Sequence, residues 1–136
     1  MSRVGTGRKL LTFVCLFWAL GAVAADFNET HVFNPQWLPH ARFHAAFQLL
    51  LTVCTALVAL RLIWATTELL NGTLLICIYP AAFLLMPLVP GVAFSDPGQP
   101  EREMAGIPGQ IWMAVITLAL SALGYWLAKP RVAPSR

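Results

Sequence analysis

Charge is scarce in this chain. Nine Lys/Arg and six Asp/Glu are spread over 136 residues, 11% of the total, against 58% apolar. The basic residues form no run with interleaved aromatics, so the formal charge of +3 and the pI near 9.1 require no nucleic-acid partner. Cysteine is equally sparse. Cys15, Cys54 and Cys77 are odd in number, lie within apolar stretches and show no CxxC or Cys/His spacing. That pattern makes a poor disulfide framework and suits small buried side chains. There is no Gly-rich phosphate loop, no GxSxG elbow, no HExxH and no Ser/His/Asp arrangement of credible spacing. Histidine occurs three times, all within one segment, His31-Val-Phe-Asn-Pro-Gln-Trp-Leu-Pro-His40-Ala-Arg-Phe-His44.

Long apolar sequence is what the chain has in abundance, with a mean hydropathy of +0.69. A bilayer core about 30 Å thick needs roughly 20 apolar residues in a helix. Four stretches approach that length: Lys9–Ala25, Phe43–Thr66, Leu74–Phe94 and Ile107–Ala128. A spanning strand would be about half as long and would alternate. The expected fold is therefore all-α, a single integral membrane four-helix bundle over residues 1–136, with longer loops at 26–42 and 95–106.

Charge placement gives an expected orientation. Arg3, Arg8 and Lys9 precede the first stretch, Lys129, Arg131 and Arg136 follow the last, and Arg61 lies near the inner end of the second. Positive flanks mark the cytoplasmic side, so both termini are expected to be cytoplasmic and both longer loops outside. Arg61 reads as a topological anchor that snorkels or reaches Glu68, with a tight inner turn over Glu68–Thr73. Trp37 and Trp112 fall near the outer boundary and Trp64 and Trp126 near the inner one, as interfacial belts do. The basic start, the apolar Leu10–Leu20 and Ala22-Val-Ala24-Ala25 also resemble a secretory signal peptide. Retention is expected, because four helices close a bundle more readily than three. Cleavage would leave the remaining spans oriented the same way.

The histidine segment joins the first two stretches. Asn28-Glu-Thr30 matches a glycosylation sequon, relevant only in a eukaryotic host. Pro39 suits the first turn of a helix, where its missing N–H costs nothing. A helix starting there puts His40 and His44 on one face, followed inward by Gln48, Thr52 and Thr55. Such a stripe should face protein, either as interhelical hydrogen bonds or as the wall of a polar-mouthed cavity. Pro80, Pro87 and Pro90 bend or break the third stretch, which can open a pocket against the second or simply serve packing. In the fourth, Thr117, Ser121 and Gly124 offer a small-residue packing face.

Three readings of the segment follow. His40 and His44, with His31, Asp26 or Glu29 folding back to complete the sphere, can form a metal site, with zinc or copper favoured by imidazole ligands. Alternatively His40, Arg42, His44 and Gln48, with Asn34 and Trp37 nearby, can hold the polar head of a hydrophobic molecule such as a quinone, sterol or lipid, while Phe43 and Phe47 cover its tail. Third, the segment is a structural clamp in which Asn34, Trp37 and Pro39 order the loop.

The Asn-Pro-x-Trp-x-Pro-His-Ala-Arg-Phe-His block at 34–44 resembles the signature of a poorly characterised family of small membrane proteins in bacteria and fungi. Leu38 stands where that pattern has a second proline. The resemblance implies four helices and a retained first helix, and carries no activity. In overall layout the chain is also similar to DoxX-like proteins and emopamil-binding isomerases, but the acidic intramembrane residues of the isomerase type are not evident. The expected role is a non-catalytic membrane subunit or hydrophobic-ligand-binding protein, whose partners are the bilayer and either a small hydrophobic molecule or a larger membrane protein. The alternative is a membrane-embedded isomerase or redox enzyme, or a metal-binding accessory, using His31, His40 and His44.

Overall fold

The computed structural model describes residues 2–65, 67–94 and 103–130. Four helices dominate it: α1 (Arg3–Asp26), α2 (Pro39–Trp64), α3 (Leu69–Leu85) and α4 (Gly109–Ala128). All four, α3 counted through Leu88, are long and apolar enough to cross a membrane. A two-residue ribbon, β1 (Glu103–Met104) with β2 (Ile107–Pro108), leads into α4. Its Ala105-Gly106 link has φ of 56° and 72°, the paired left-handed conformation that two-residue hairpins favour.

Local chemistry sets the helix ends. Ser2 accepts the Gly5 N–H at 3.2 Å, so α1 begins six residues before the apolar stretch does. Pro39 occupies the first turn of α2. α3 starts earlier than the apolar pattern implies, because Leu69–Thr73 forms its first turns rather than the inner turn expected there. Asn71 donates to the Glu68 carboxylate at 2.6 Å at this start, and no Arg61–Glu68 ion pair forms. α3 passes through Pro80 and tightens into a 3-10 turn at Met86–Leu88, around Pro87, short of the expected Phe94. The loop expected over 95–106 lies outside the described residues as far as 102.

Consecutive helices run antiparallel around a square. α1 packs on α2 and α4, α3 packs on the same two, and α1 also touches α3 across the diagonal. Leu11, Val14, Cys15 and Trp18 of α1 meet Ala59, Ile63, Leu69, Ile76 and Ala114 in one core. α4 turns Ala114, Thr117, Ser121, Gly124 and Ala128 inward at three/four spacing, which includes the small-residue face expected of it. Glycine lets two helix pairs approach closely. A Cβ on Gly7 would lie 2.5 Å from the Gly124 carbonyl oxygen and the Ala128 nitrogen, and one on Gly72 would lie 2.8 Å from the Ile63 nitrogen.

At the end where the chain starts, two arginines of α1 cap neighbouring helices. Arg3 donates to the Trp126 carbonyl at 2.7 Å and lies 4.4 Å over its ring. Arg8 donates to the Trp64 and Ala65 carbonyls at 3.1 and 3.2 Å. Cations here meet the negative ends of α4 and α2.

Candidate functional site

The connection from α1 to α2 orders itself through short polar side chains. Asn28 Nδ2 caps the Ala25 carbonyl at 2.6 Å, and its Oδ1 accepts from the Thr30 backbone at 2.8 Å and hydroxyl at 2.6 Å. Asn34 donates to the Thr30 carbonyl at 3.0 Å and accepts from the Gln36 N–H at 2.9 Å. Both are asparagine turns that replace lost helical bonds. Val32 is buried against Ala22 and Leu49, which pins this loop between α1 and α2.

His31 belongs to the loop. Its Nδ1 lies 2.8 Å from the Thr30 hydroxyl, its Nε2 lies 3.8 Å from Asp26, and Trp37 meets its ring edge-on at 5.5 Å. His40 and His44 form a separate pair on the exposed first turns of α2, with their Nε2 atoms 3.0 Å apart. Arg42, half-buried, lies between them in sequence. Among the described residues no group of three or more His, Cys, Asp and Glu comes together that could hold a metal ion. The three histidines therefore divide into one loop residue and one pair.

One turn further along the same face, the side chains line a cavity. It lies between α1, α2 and α3, with a volume of about 330 Å³, and is open on one side. Gln48, Thr52, Thr55 and Ala59 form its α2 wall, Cys15, Trp18 and Ala19 its α1 wall, and residues from Leu75 to Ala82 its α3 wall, with Met86 of the 3-10 turn at the end. Eleven residues separate Gln48 from Ala59, about 16 Å of helix. The lining is almost wholly apolar, and several of its polar groups are already engaged. Thr52 donates back to the Gln48 carbonyl at 2.9 Å, and the Cys15 thiol points at the Ala56 carbonyl at 3.5 Å. Trp18 sends its indole N–H to Thr117 of α4 at 3.0 Å and packs its rings on Tyr79 and Phe83. Gln48 and Tyr79 are the polar side chains of the α2 and α3 walls in this lining, beside Thr52 and Thr55. Pro80, next to Tyr79, has no N–H to offer the Ile76 carbonyl one turn back, so the backbone beside the cavity is weakened.

Of the residues read from the sequence as holding a ligand or metal, only Gln48 lines this cavity, and Thr52 and Thr55, read as a cavity wall, line it with Gln48. His40, Arg42 and His44 lie above it on α2, and Asn34 and Trp37 organise the loop. The sequence reading missed Trp18 and Tyr79. Trp18 carried a signal, being the one tryptophan of five that falls inside an apolar stretch rather than at its edge.

Residues 11–135 match the profile of a family described as "Family of unknown function (DUF6640)". No curated protein and no solved structure matches the chain.

Proposed function

The chain belongs to that family of unknown function, and from this premise we propose that it is a non-catalytic multi-pass membrane protein that takes a hydrophobic small molecule between α1, α2 and α3. The cavity carries the reading. Its 330 Å³ falls at the lower end of the range that small-molecule sites occupy, and its wall is apolar with a polar tooth at Gln48 and Tyr79. With the helices across a bilayer, the opening admits a ligand from the lipid rather than from water. The fit is to an elongated molecule with one hydrogen-bonding group near Gln48 and a tail directed toward Ala59. By the distribution of arginine and lysine, both termini face the cytoplasm and the histidine end faces out.

The test is purification in mild detergent followed by native mass spectrometry and analysis of extracted hydrophobic molecules. Ala82 lines the cavity and is exposed, so Ala82→Trp can fill the opening without disturbing the core. A bound hydrophobic molecule present in the wild type and lost in Ala82→Trp is the expected result. Gln48→Leu should weaken retention about fivefold, the worth of one hydrogen bond of about 1 kcal/mol. Recovery of no such molecule, or equal recovery from both proteins, refutes the proposal.

A role as a membrane subunit draws on a different observation. Only Leu49, Ala59 and Ile63 of the 26 residues of α2 are buried, which leaves Phe43, Phe47, Leu50, Leu57 and Val58 facing lipid or a partner. Stable co-purification of a larger protein would favour this role.

A further inference from the structure

The His40–His44 pair is built unlike a surface accident. The two rings stand at 80° with centroids 4.5 Å apart. Phe43 packs against both, nearly parallel to His40 at 10° and edge-on to His44 at 5.5 Å. Aromatic packing therefore sets the ring directions and leaves the two Nε2 atoms facing each other at 3.0 Å. A neutral imidazole protonates one nitrogen and offers a lone pair on the other. With both protons on Nδ1, both Nε2 atoms offer lone pairs within 3.0 Å of each other, close enough for one cation beside the N···N line to bind both.

Ligand type and affinity order select the cation, and the separation accommodates it. For metal–nitrogen bonds of about 2.0–2.1 Å, two nitrogens 3.0 Å apart subtend about 94°, whereas tetrahedral ligation needs roughly 3.3 Å. A right-angled pair of nitrogens suits tetragonal Cu(II), which also heads the affinity order of the divalent first-row metals. Thiolate, which would draw Cu(I) or zinc, is distant: the nearest cysteine along α2, Cys54, lies ten residues on, about 15 Å. We propose that His40 and His44 form a cis two-imidazole site for Cu(II) at the outer end of α2, its other positions open to water or an external ligand. His31, engaged with Thr30 beside Asp26, takes no part. The site does not depend on the cavity being occupied.

The experiment is Cu(II) titration of the full chain, prepared without a histidine tag in mild detergent and followed by electron paramagnetic resonance. Wild type, His31→Ala, His40→Ala and His44→Ala are compared, with far-UV circular dichroism to establish that each is folded. One Cu(II) per chain with a two-nitrogen signature is expected in the wild type and in His31→Ala. Either α2 variant should bind at least about tenfold more weakly, because a chelate becomes a single ligand. No saturable binding, or binding that neither α2 variant weakens, overturns the site and leaves the pair as an N–H···N hydrogen bond.

Discussion

Replacing Gly7 by alanine tests whether α1 and α4 are in backbone contact. The added Cβ would lie 2.5 Å from the Gly124 carbonyl oxygen, 2.5 Å from the Ala128 nitrogen and 2.8 Å from the Ala128 Cβ. Two of those atoms are main chain and cannot rotate away. Ordinary contact begins near 3.4 Å, so the helices must part by up to 0.9 Å, the difference from 2.5 Å. A gap of about 0.5–1 Å forfeits a quarter to a half of the dispersion energy of each facing atom pair. Between helices in lipid this term is decisive, because lipid tails are as apolar as the core and transfer from water supplies no drive. Overpacking of this kind costs about 2–3 kcal/mol. Gly21 is the internal control, because it lies on the same helix and a Cβ there meets nothing within 4 Å. Gly21→Ala should leave stability unchanged or raise it by up to about 1 kcal/mol through helix propensity. Unfolding in mixed micelles by increasing dodecyl sulfate, read by circular dichroism, ranks the three proteins. Should Gly7→Ala prove as stable as Gly21→Ala, the close approach of α1 and α4 is wrong.

The caps and the buried indole give two further outcomes. Trp18→Phe keeps the ring contacts with Tyr79 and Phe83 but removes the N–H that Thr117 accepts. Unfolding in the same micelles should show a loss of about 0.5–1.5 kcal/mol, and a double variant with Thr117→Val should cost less than the sum of the singles. Arg8→Lys keeps the charge but loses the fork that spans the Trp64 and Ala65 carbonyls. A destabilisation of about 1 kcal/mol is expected, and equal stability would show that only the charge matters at the end of α2.

How much of this was legible in the sequence follows from what a bilayer rewards. The four helices were legible because length and hydropathy suffice for that, and Pro39 marked the start of α2 because a proline at the first turn has a physical reason. The start of α3 was not legible. Leu69–Thr73 contains Asn71 and Gly72, which in a soluble protein signal a turn. Here Gly72 is helical because α2 passes so close that nothing larger fits, a tertiary fact invisible in composition. The histidines were recognised as a cluster, and helical spacing alone placed His40 beside His44. No spacing rule carried His31 away from them. That separation comes from Asn28, Thr30 and Asn34 bonding among themselves and to the nearby backbone, which folds the loop on itself.

The cavity was legible only in part: the stripe of Gln48, Thr52 and Thr55 and the prolines of the third stretch pointed to one, but nothing in the sequence placed its α1 wall at Cys15, Trp18 and Ala19. In water, an apolar stripe at 3.6-residue spacing tells which face of a helix is inside. With lipid outside, both faces are apolar and that signal fades, so the inward face must be read from small and polar residues instead. α2 follows this rule only in part. Gln48, Thr52, Thr55 and Ala59 do turn toward α1 and α3, yet the space they face is open on one side rather than filled. Small residues on one helix permit either close packing or a void, and the partner decides which. Opposite Gly7 the partner offers Gly124 and Ala128, and the backbones touch. Opposite Thr52 and Thr55 the neighbouring helices place Trp18 and Tyr79, whose rings pack against each other at a 49° tilt instead of filling the gap. The same class of residue thus seals one helix pair and hollows another, and the difference lies in two aromatic side chains on other helices, both distant in sequence from the stripe that they face.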